Sequence, residues 1–249
     1  MNRSLSVVVP AYNEERTLGV VIGKLLDVPA VLEIVIVDDG STDRTYEIAA
    51  KFAAENEAVR VLKQLRNCGK SQAVRAGIAD TRGEIVLIQD ADDEYDAREI
   101  TDLIQPIVEG VADAVYGSRF LVRKAARVLY FYHYLANKAL TFLSNLLTNV
   151  NLSDVETGYK AFRGEIIRSM ILTANGFGFD IEVTAKLAKL KCAMYEVPIS
   201  YYGRTYAQGK KIKAKDAFAS FWFIFKYNLF CSVKSSYREI PDLSARGRG

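Results

Sequence analysis

The chain has little cysteine, little proline and no strong excess of either charge. Its three cysteines, Cys68, Cys192 and Cys231, are scattered and form no C-x-x-C pair. Such a set fits neither a disulfide framework nor a zinc site, and it points to a reducing compartment. A formal net charge of +3 over 249 residues gives no case for a nucleic-acid partner. Long apolar runs are missing as well. The first, residues 7–11, is too short for a signal peptide. Residues 129–150 have the length of a membrane span but hold His133, Asn137, Lys138, Asn145 and Asn149, while the shorter segment 218–233 holds Lys226 and Asn228. A spanning helix needs about 20 predominantly apolar residues, so the expectation is a soluble protein or one that lies on a membrane. What the chain does have is a balance of 50% hydrophobic and 25% charged residues, which excludes disorder. Its length suits one large domain with a buried core, or two small ones.

In the first half, apolar runs of strand length at 5–10, 33–37, 59–64, 85–89 and 114–117 alternate with helical patterns at 15–27, 43–57, 71–80 and 97–109. Ile48, Ala49 and Phe52, for example, share one helical face. Strand–helix repetition with near-continuous apolar strands implies an α/β fold, a mostly parallel sheet with helices on both faces. Ligands of such sheets sit beyond the carboxyl ends of the strands. The polar clusters fall there: Tyr12-Asn13-Glu14, Asp38-Asp39-Gly40-Ser41 and Asp90-Ala91-Asp92 follow the first, second and fourth strands. The second half reads as a basic stretch at 123–127, an aromatic helix at 129–147 and a polar turn at Ser153-Asp154. Thr157-Gly158-Tyr159-Lys160, a helix near 181–190 and a strand ending at Ile199-Ser200-Tyr201-Tyr202 come next. A basic loop at 204–215, a helix at 218–233 and a tail after Pro241 that reads as disordered complete it. With no internal repeat and no linker, the expected organisation is a catalytic domain over 1–212, an amphipathic helix over 213–234 and a disordered tail over 235–249.

Asp90-Ala91-Asp92 is the centre of the functional reading. Two carboxylates one residue apart on a turn reach one hard divalent ion, and small Ala91 lets backbone approach a ligand. Magnesium or manganese takes one or two carboxylates and completes its shell with water and phosphate oxygens. Such an ion would neutralise charge building on a departing diphosphate, and Glu94 offers a further ligand. A carboxylate at Asp38 or Asp39 suits the imide N–H of uracil or the N1–H of guanine, a donor that adenine lacks; the same Asp-Gly-Ser-Thr-Asp turn also suits helix capping through Ser41 or Asp43. Tyr12 and Glu14 fit the base and ribose of the same nucleotide, Glu14 equally a helix start. Asn67-Cys68-Gly69-Lys70-Ser71 is not a phosphate loop, because Gln64 stands where the first glycine is required.

Val9-Pro10-Ala11-Tyr12-Asn13-Glu14-Glu15, Val37-Asp38-Asp39-Gly40-Ser41-Thr42-Asp43, Asn67-x-Gly69-Lys70 and Asp90-Ala91-Asp92 together resemble the GT-A glycosyltransferases of family 2. Gly117-Ser118-Arg119, Thr157-Gly158-Tyr159-Lys160 and Arg204-Thr205…Gly209-Lys210-Lys211 narrow the resemblance toward the dolichyl-phosphate mannose synthase-like branch, over roughly residues 5–230. The resemblance implies that Pro10, Ala11, Tyr12, Glu14, Val37 and Asp39 hold the nucleotide, with Lys70, Asp90 and Ala91 on the same nucleotide sugar. It implies that Asp90 and Asp92 bind the metal and diphosphate with Glu94 as a third ligand, and that Arg119, Arg204 and Lys210 face the donor and acceptor phosphates. Inversion at the anomeric carbon is the expected outcome. In one segment the chain departs from that branch: where an arginine and a serine are usual, residues 130–137 read Tyr-Phe-Tyr-His-Tyr-Leu-Ala-Asn, with only Asn137 in register and His133 open as a replacement phosphate donor or as a helix residue packed on the core.

The expected reaction moves a hexose from a UDP- or GDP-sugar to a polyprenyl phosphate. A phosphate oxygen is largely anionic near neutral pH and needs little help from a base. A hydroxyl acceptor of a polysaccharide or small molecule is the alternative; it would need a positioned carboxylate, for which Asp180 and Glu182 are candidates. A non-catalytic nucleotide-sugar binder is a further one. The basic loop (Arg204, Lys210, Lys211, Lys213, Lys215) leads into Phe218, Phe221, Trp222, Phe225 and Leu229, a combination suited to an anionic membrane interface on the cytoplasmic side. Packing of that helix on the domain is the competing expectation.

Overall fold

The computed structural model describes residues 4–121, 130–204 and 214–243. Strands β1 (Leu5–Ala11), β2 (Val31–Asp38), β3 (Val59–Lys63) and β4 (Ile85–Ile88) run parallel, connected by helices α1 (Leu18–Leu26), α2 (Thr45–Glu55) and α3 (Lys70–Ala79). A turn of 3-10 helix at Ala97–Glu99 and helix α4 (Ile100–Val108) lead to β5 (Ala114–Ser118). The long helix α5 (Phe131–Thr148) precedes β6 (Lys160–Arg163), α6 (Gly164–Ser169), α7 (Phe179–Leu190), β7 (Met194–Pro198), α8 (Ala214–Leu229) and α9 (Val233–Ser236). The sheet order is β3-β2-β1-β4-β6-β5-β7, with β6 antiparallel to both of its neighbours. The chain winds outward from β1 toward β3 and then returns to the other side of β1 with β4, so the order reverses between β1 and β4. At that reversal the flanking loops part and leave a crevice.

Alternation along the strands builds two cores. Val7, Val9, Ile85 and Leu87 face α1 and α4, while Val8, Val86 and Ile88 face the side covered by α5 and α7. All seven are at most 4% exposed, which is why these strands read as unbroken apolar runs rather than as half-polar ones. The structure is thus the α/β, mostly parallel sheet expected. The segment read as one helix over 97–109 is divided: Asp96 caps the 3-10 turn by accepting from Arg98 N at 3.0 Å, and α4 begins only at Ile100. The strand expected to end at residues 199–202 stops at Pro198, and Tyr201 instead makes an isolated bridge with Tyr95.

Helix α8 packs on α5 and α7. Ser220, Ile224 and Tyr227 are buried, and Tyr227 Oη lies 3.1 Å from Thr173 Oγ1. On the other face Trp222, Phe225 and Leu229 are exposed. The helix is packed on the domain along one side, and Phe221, expected on the presented aromatic face, packs against the second core. Phe131, Leu135, Phe142 and Leu146 form a second exposed apolar stripe along α5. Among the described residues no helix is long and apolar enough to cross a membrane. Leu243 packs against the second core; the remainder of the tail, residues 244–249, lies outside the described residues.

Candidate active site

Two strand-end loops are stitched together before any ligand is considered. Asn13 N donates to Ser41 Oγ at 3.0 Å, Thr42 N to Asn13 Oδ1 at 2.8 Å, and Glu14 N to Thr45 Oγ1 at 2.8 Å. Asp43 accepts from Thr45 N and Glu15 N at 3.0 and 3.2 Å, so it holds the start of α2 and the neighbouring loop together. Asp39 lies just beyond β2. Its two oxygens accept Cys68 N and Gly69 N, each at 2.8 Å. Burial lifts its carboxyl above the usual range despite those two donors. Gly69, at φ 90°, turns the chain from this contact into α3, a conformation that glycine adopts without a Cβ clash.

Lys70, the first residue of α3, reaches Asp90 at 2.6 Å. Burial alone would lower its pKa, but Asp90 overrides that and holds it protonated. Asp92 is pushed up to about 7, by burial first and then by the charges of Asp90 and Glu94. The compensating cation is Arg204. Its guanidinium contacts Glu14 at 3.0 Å, Asp92 at 3.1 Å and Glu94 at 3.3 Å. Glu94 is also fixed from behind, by the Tyr201 hydroxyl at 2.5 Å and by Arg204 N at 2.7 Å.

A third group forms the far wall. Arg119, following β5, makes a two-point contact with buried Asp154 at 2.7 and 2.8 Å, and Asn137 of α5 donates to the same carboxylate at 3.2 Å. Burial would raise Asp154, but Arg119 outweighs it and holds the carboxyl low. Lys160 is fully buried on β6 and pairs with Asp180 at 2.5 Å. Tyr95 Oη accepts Gly158 N at 2.9 Å, and a methyl group at Gly158 would overlap Asp90 Oδ2. Only glycine lets the 157–159 turn come this close to the acidic pair.

These groups enclose one cavity of about 720 Å³ at the carboxyl ends of β1, β2 and β4. Of the residues singled out in the sequence, Pro10, Ala11, Tyr12, Glu14, Asp39 and Lys70 line one part of it, and Asp90, Ala91, Asp92, Glu94, Arg119 and Arg204 the rest. Val37 does not: strand alternation turns it to the α3 side, where it is fully buried with Val35 and Ala73. Lys210 lies outside the described residues. His133 is partly buried on α5 with its ring edge-on to Tyr130 and is not part of the cavity lining. Asp180 lines the cavity but is committed to Lys160. Glu182 is turned into the core, where it accepts Thr173 N at 2.8 Å, Ala174 N at 2.7 Å and the Lys186 ammonium at 2.6 Å. That is a structural post, and Glu182 is not placed to act as a base.

Sequence reasoning passed over Asp154 and Glu156. Glu156 lines the cavity, and its Oε1 is buried with no hydrogen-bond partner among the described residues. Burial, reinforced by Asp180, pushes its carboxyl up to about 7. The only local signal is a pair of acids flanking Val155 just ahead of Thr157-Gly158.

No three His, Cys, Asp or Glu side chains stand at metal-ligand positions among the described residues, since Asp90 is turned to Lys70 and Asp92 to Arg204. The donor chemistry nevertheless fits a hard cation. Two carboxylates on one turn beside space for phosphate oxygens match magnesium or manganese, and a guanidinium drawn among Glu14, Asp92 and Glu94 marks where positive charge is favoured.

Comparison with known proteins bears on the fold and the family. The chain is 33% identical over 205 residues to the glycosyltransferase AglJ of Haloferax volcanii, covering 81% of this chain and 64% of that protein. It is 30% identical to the undecaprenyl-phosphate mannosyltransferase of Micrococcus luteus, with 82% of this chain and 85% of the relative covered. Its fold matches that of glucosyl-3-phosphoglycerate synthase from Mycobacterium tuberculosis, solved with Mn2+, uridine diphosphate and phosphoglyceric acid. The TM-score is 0.71 at 21% identity, over 93% of this chain and 80% of the other. The sequence profile described as "Glycosyl transferase family 2" matches residues 6–170. With the strand-end loops, the acidic pair and the GT-A sheet all within or built around that stretch, the chain belongs to glycosyl transferase family 2.

Proposed function

We propose that the protein moves a hexose from a UDP- or GDP-linked donor to the phosphate of a polyprenyl phosphate, with inversion at the anomeric carbon. The observation that carries this reading is a single cavity that joins a base-reading carboxylate, an acidic pair and three cations. Asp39 would accept the imide-type N–H of the base, with Pro10, Ala11, Tyr12 and Glu14 around the nucleoside. Asp90 and Asp92, with Glu94 in the same cluster, would hold a magnesium or manganese ion; when bound, it supplies charge neutralisation on the leaving diphosphate. Lys70 would face the same phosphates, and Arg119, Arg204 and Lys210 would serve the donor and acceptor phosphates. An acceptor oxygen attacks the anomeric carbon as the bond to the diphosphate breaks, and the phosphate needs no general base because it already carries negative charge. Relatives named as an undecaprenyl-phosphate mannosyltransferase and a polyprenol monophosphomannose synthase support the choice of acceptor class.

The exposed stripes on α5 and α8 support a peripheral position on a membrane, for which we take the cytoplasmic face. Phe131, Leu135, Phe142 and Leu146 on one helix, and Trp222, Phe225 and Leu229 on its neighbour, are exposed apolar side chains of the kind that enter the headgroup boundary. The catalytic reading is tested in two steps. A thermal-shift panel of UDP, GDP, ADP and CDP with and without manganese should give a manganese-dependent shift with UDP or GDP that is lost in Asp92→Asn. Transfer of labelled sugar from the matching donor to undecaprenyl phosphate in detergent then tests the acceptor. No shift with any nucleotide overturns the reading of the cavity; a shift without transfer to lipid phosphate overturns the acceptor.

A further inference from the structure

We propose that Glu156 is the residue that hydrogen-bonds the hydroxyl groups of the transferred sugar, and so sets which sugar the donor site accepts. This rests on the donor reading given above. The cavity is lined by seven carboxylates, Glu14, Asp39, Asp90, Asp92, Glu94, Glu156 and Asp180. Six already have a partner within the protein: Asp39 two backbone amides, Asp90 the Lys70 ammonium, Glu14, Asp92 and Glu94 the Arg204 guanidinium, and Asp180 the Lys160 ammonium. Glu156 is the exception, with Oε1 buried and unpartnered among the described residues. A buried acceptor without a donor is costly and is retained where a ligand supplies the donor.

Its place fits a sugar better than any other part of the substrates. The base end of the cavity is marked by Asp39 and the diphosphate centre by Lys70, Asp90 and Asp92. Gly158 backs directly onto Asp90, and Glu156 precedes it by two residues, among the Asp180–Lys160 and Arg119–Asp154 pairs that act on its charge. A donor laid from Asp39 across the acidic turn therefore carries its sugar toward Glu156. A metal is disfavoured there by the neighbouring cations Lys160 and Arg119. A phosphate is disfavoured by the carboxylate itself. Sugar hydroxyls donate to a carboxyl oxygen in either protonation state, and burial keeps both states accessible near neutral pH.

The test is calorimetric titration, with manganese present, of UDP, UDP-glucose, UDP-galactose, GDP and GDP-mannose into wild type, Glu156→Gln and Glu156→Ala. The expected result is that the nucleoside diphosphate Kd moves less than about twofold. The Kd of the preferred sugar nucleotide should rise about tenfold or more in Glu156→Ala, the scale of losing one hydrogen bond to a charged group. Glu156→Gln, whose amide oxygen still accepts, should fall between the two and guards against misfolding of the alanine variant. Sugar nucleotide and diphosphate weakening together, or neither weakening, overturns the assignment of Glu156 while leaving the donor site standing. A wild type that binds none of the five overturns the donor reading itself.

Discussion

Replacing Glu156 by glutamine should make the ligand-free protein more stable, and only above acid pH. The carboxyl is pushed from its ordinary 4.5 up to about 7 by burial, with Asp180 adding to it. As pH rises past 4.5 the unfolded chain releases this proton while the folded chain keeps it. Stability therefore falls with pH through this window and levels off above about 7. At roughly 1.36 kcal/mol per pH unit, the native state gives up about 3 kcal/mol by pH 8. Glutamine is a neutral isostere of the protonated form and does not titrate. Urea unfolding of the apo protein at several pH values should show the variant equal to wild type near pH 4.5 and about 3 kcal/mol more stable at pH 8. In melting temperature that is about 6–12 °C for a chain of this size. A difference that stays constant with pH would refute the argument, because it would mean that packing and not ionisation separates the two. A gain in stability on removing an ionisable group is the expected mark of a residue retained for binding rather than for folding.

Three further outcomes follow from the same geometry. Because burial and the neighbouring Asp90 and Glu94 raise the Asp92 carboxyl and a metal takes the deprotonated form, manganese affinity of the nucleotide-free protein should strengthen as pH rises from 5 to 7; a flat profile would exclude Asp92 as a ligand. Glu182→Ala strips the partner from Lys186 and from two backbone amides, which should cost about 3–5 kcal/mol in urea unfolding, while turnover per folded molecule is retained; loss of turnover in a fully stable variant would contradict its structural role. Serine at Trp222, Phe225 and Leu229 together should weaken flotation with anionic vesicles without changing the nucleotide Kd, and unchanged flotation would remove this face from any membrane contact.

Much of the donor half of the site was legible because it is local. Strands β1, β2 and β4 are buried on both faces, so their apolar runs end abruptly, and the residues at those ends, Tyr12, Asp39, Asp90 and Asp92, fall into one cavity once the strands lie parallel. The far wall was legible only in part: Arg119 and the 157–160 turn stood out, but Asp154, which pairs with Arg119, and Glu156 did not. β6 reads Lys-Ala-Phe-Arg, with no β-branched residue and a charge at each end, and it exists because β4 and β5 leave an open lane between them that an antiparallel strand fills. That pairing joins residues about 75 positions apart, beyond the reach of any local pattern. Asp154 and Glu156 are placed by that strand, so they stayed hidden with it. Glu182 misled for the complementary reason: an acid at a helix start looks the same in sequence whether it faces a cleft or, as here, the amides of a neighbouring turn.

The position of Arg204 has a consequence for metal binding. Its guanidinium draws on the Asp92 carboxylate that a divalent cation would use, so the two are competitors. Whatever binds Asp92 loosens Arg204, and whatever draws Arg204 away frees Asp92, by equal amounts of free energy. Under the function proposed above, an ion arriving at Asp92 therefore leaves Arg204 with Glu14 and Glu94 as its partners.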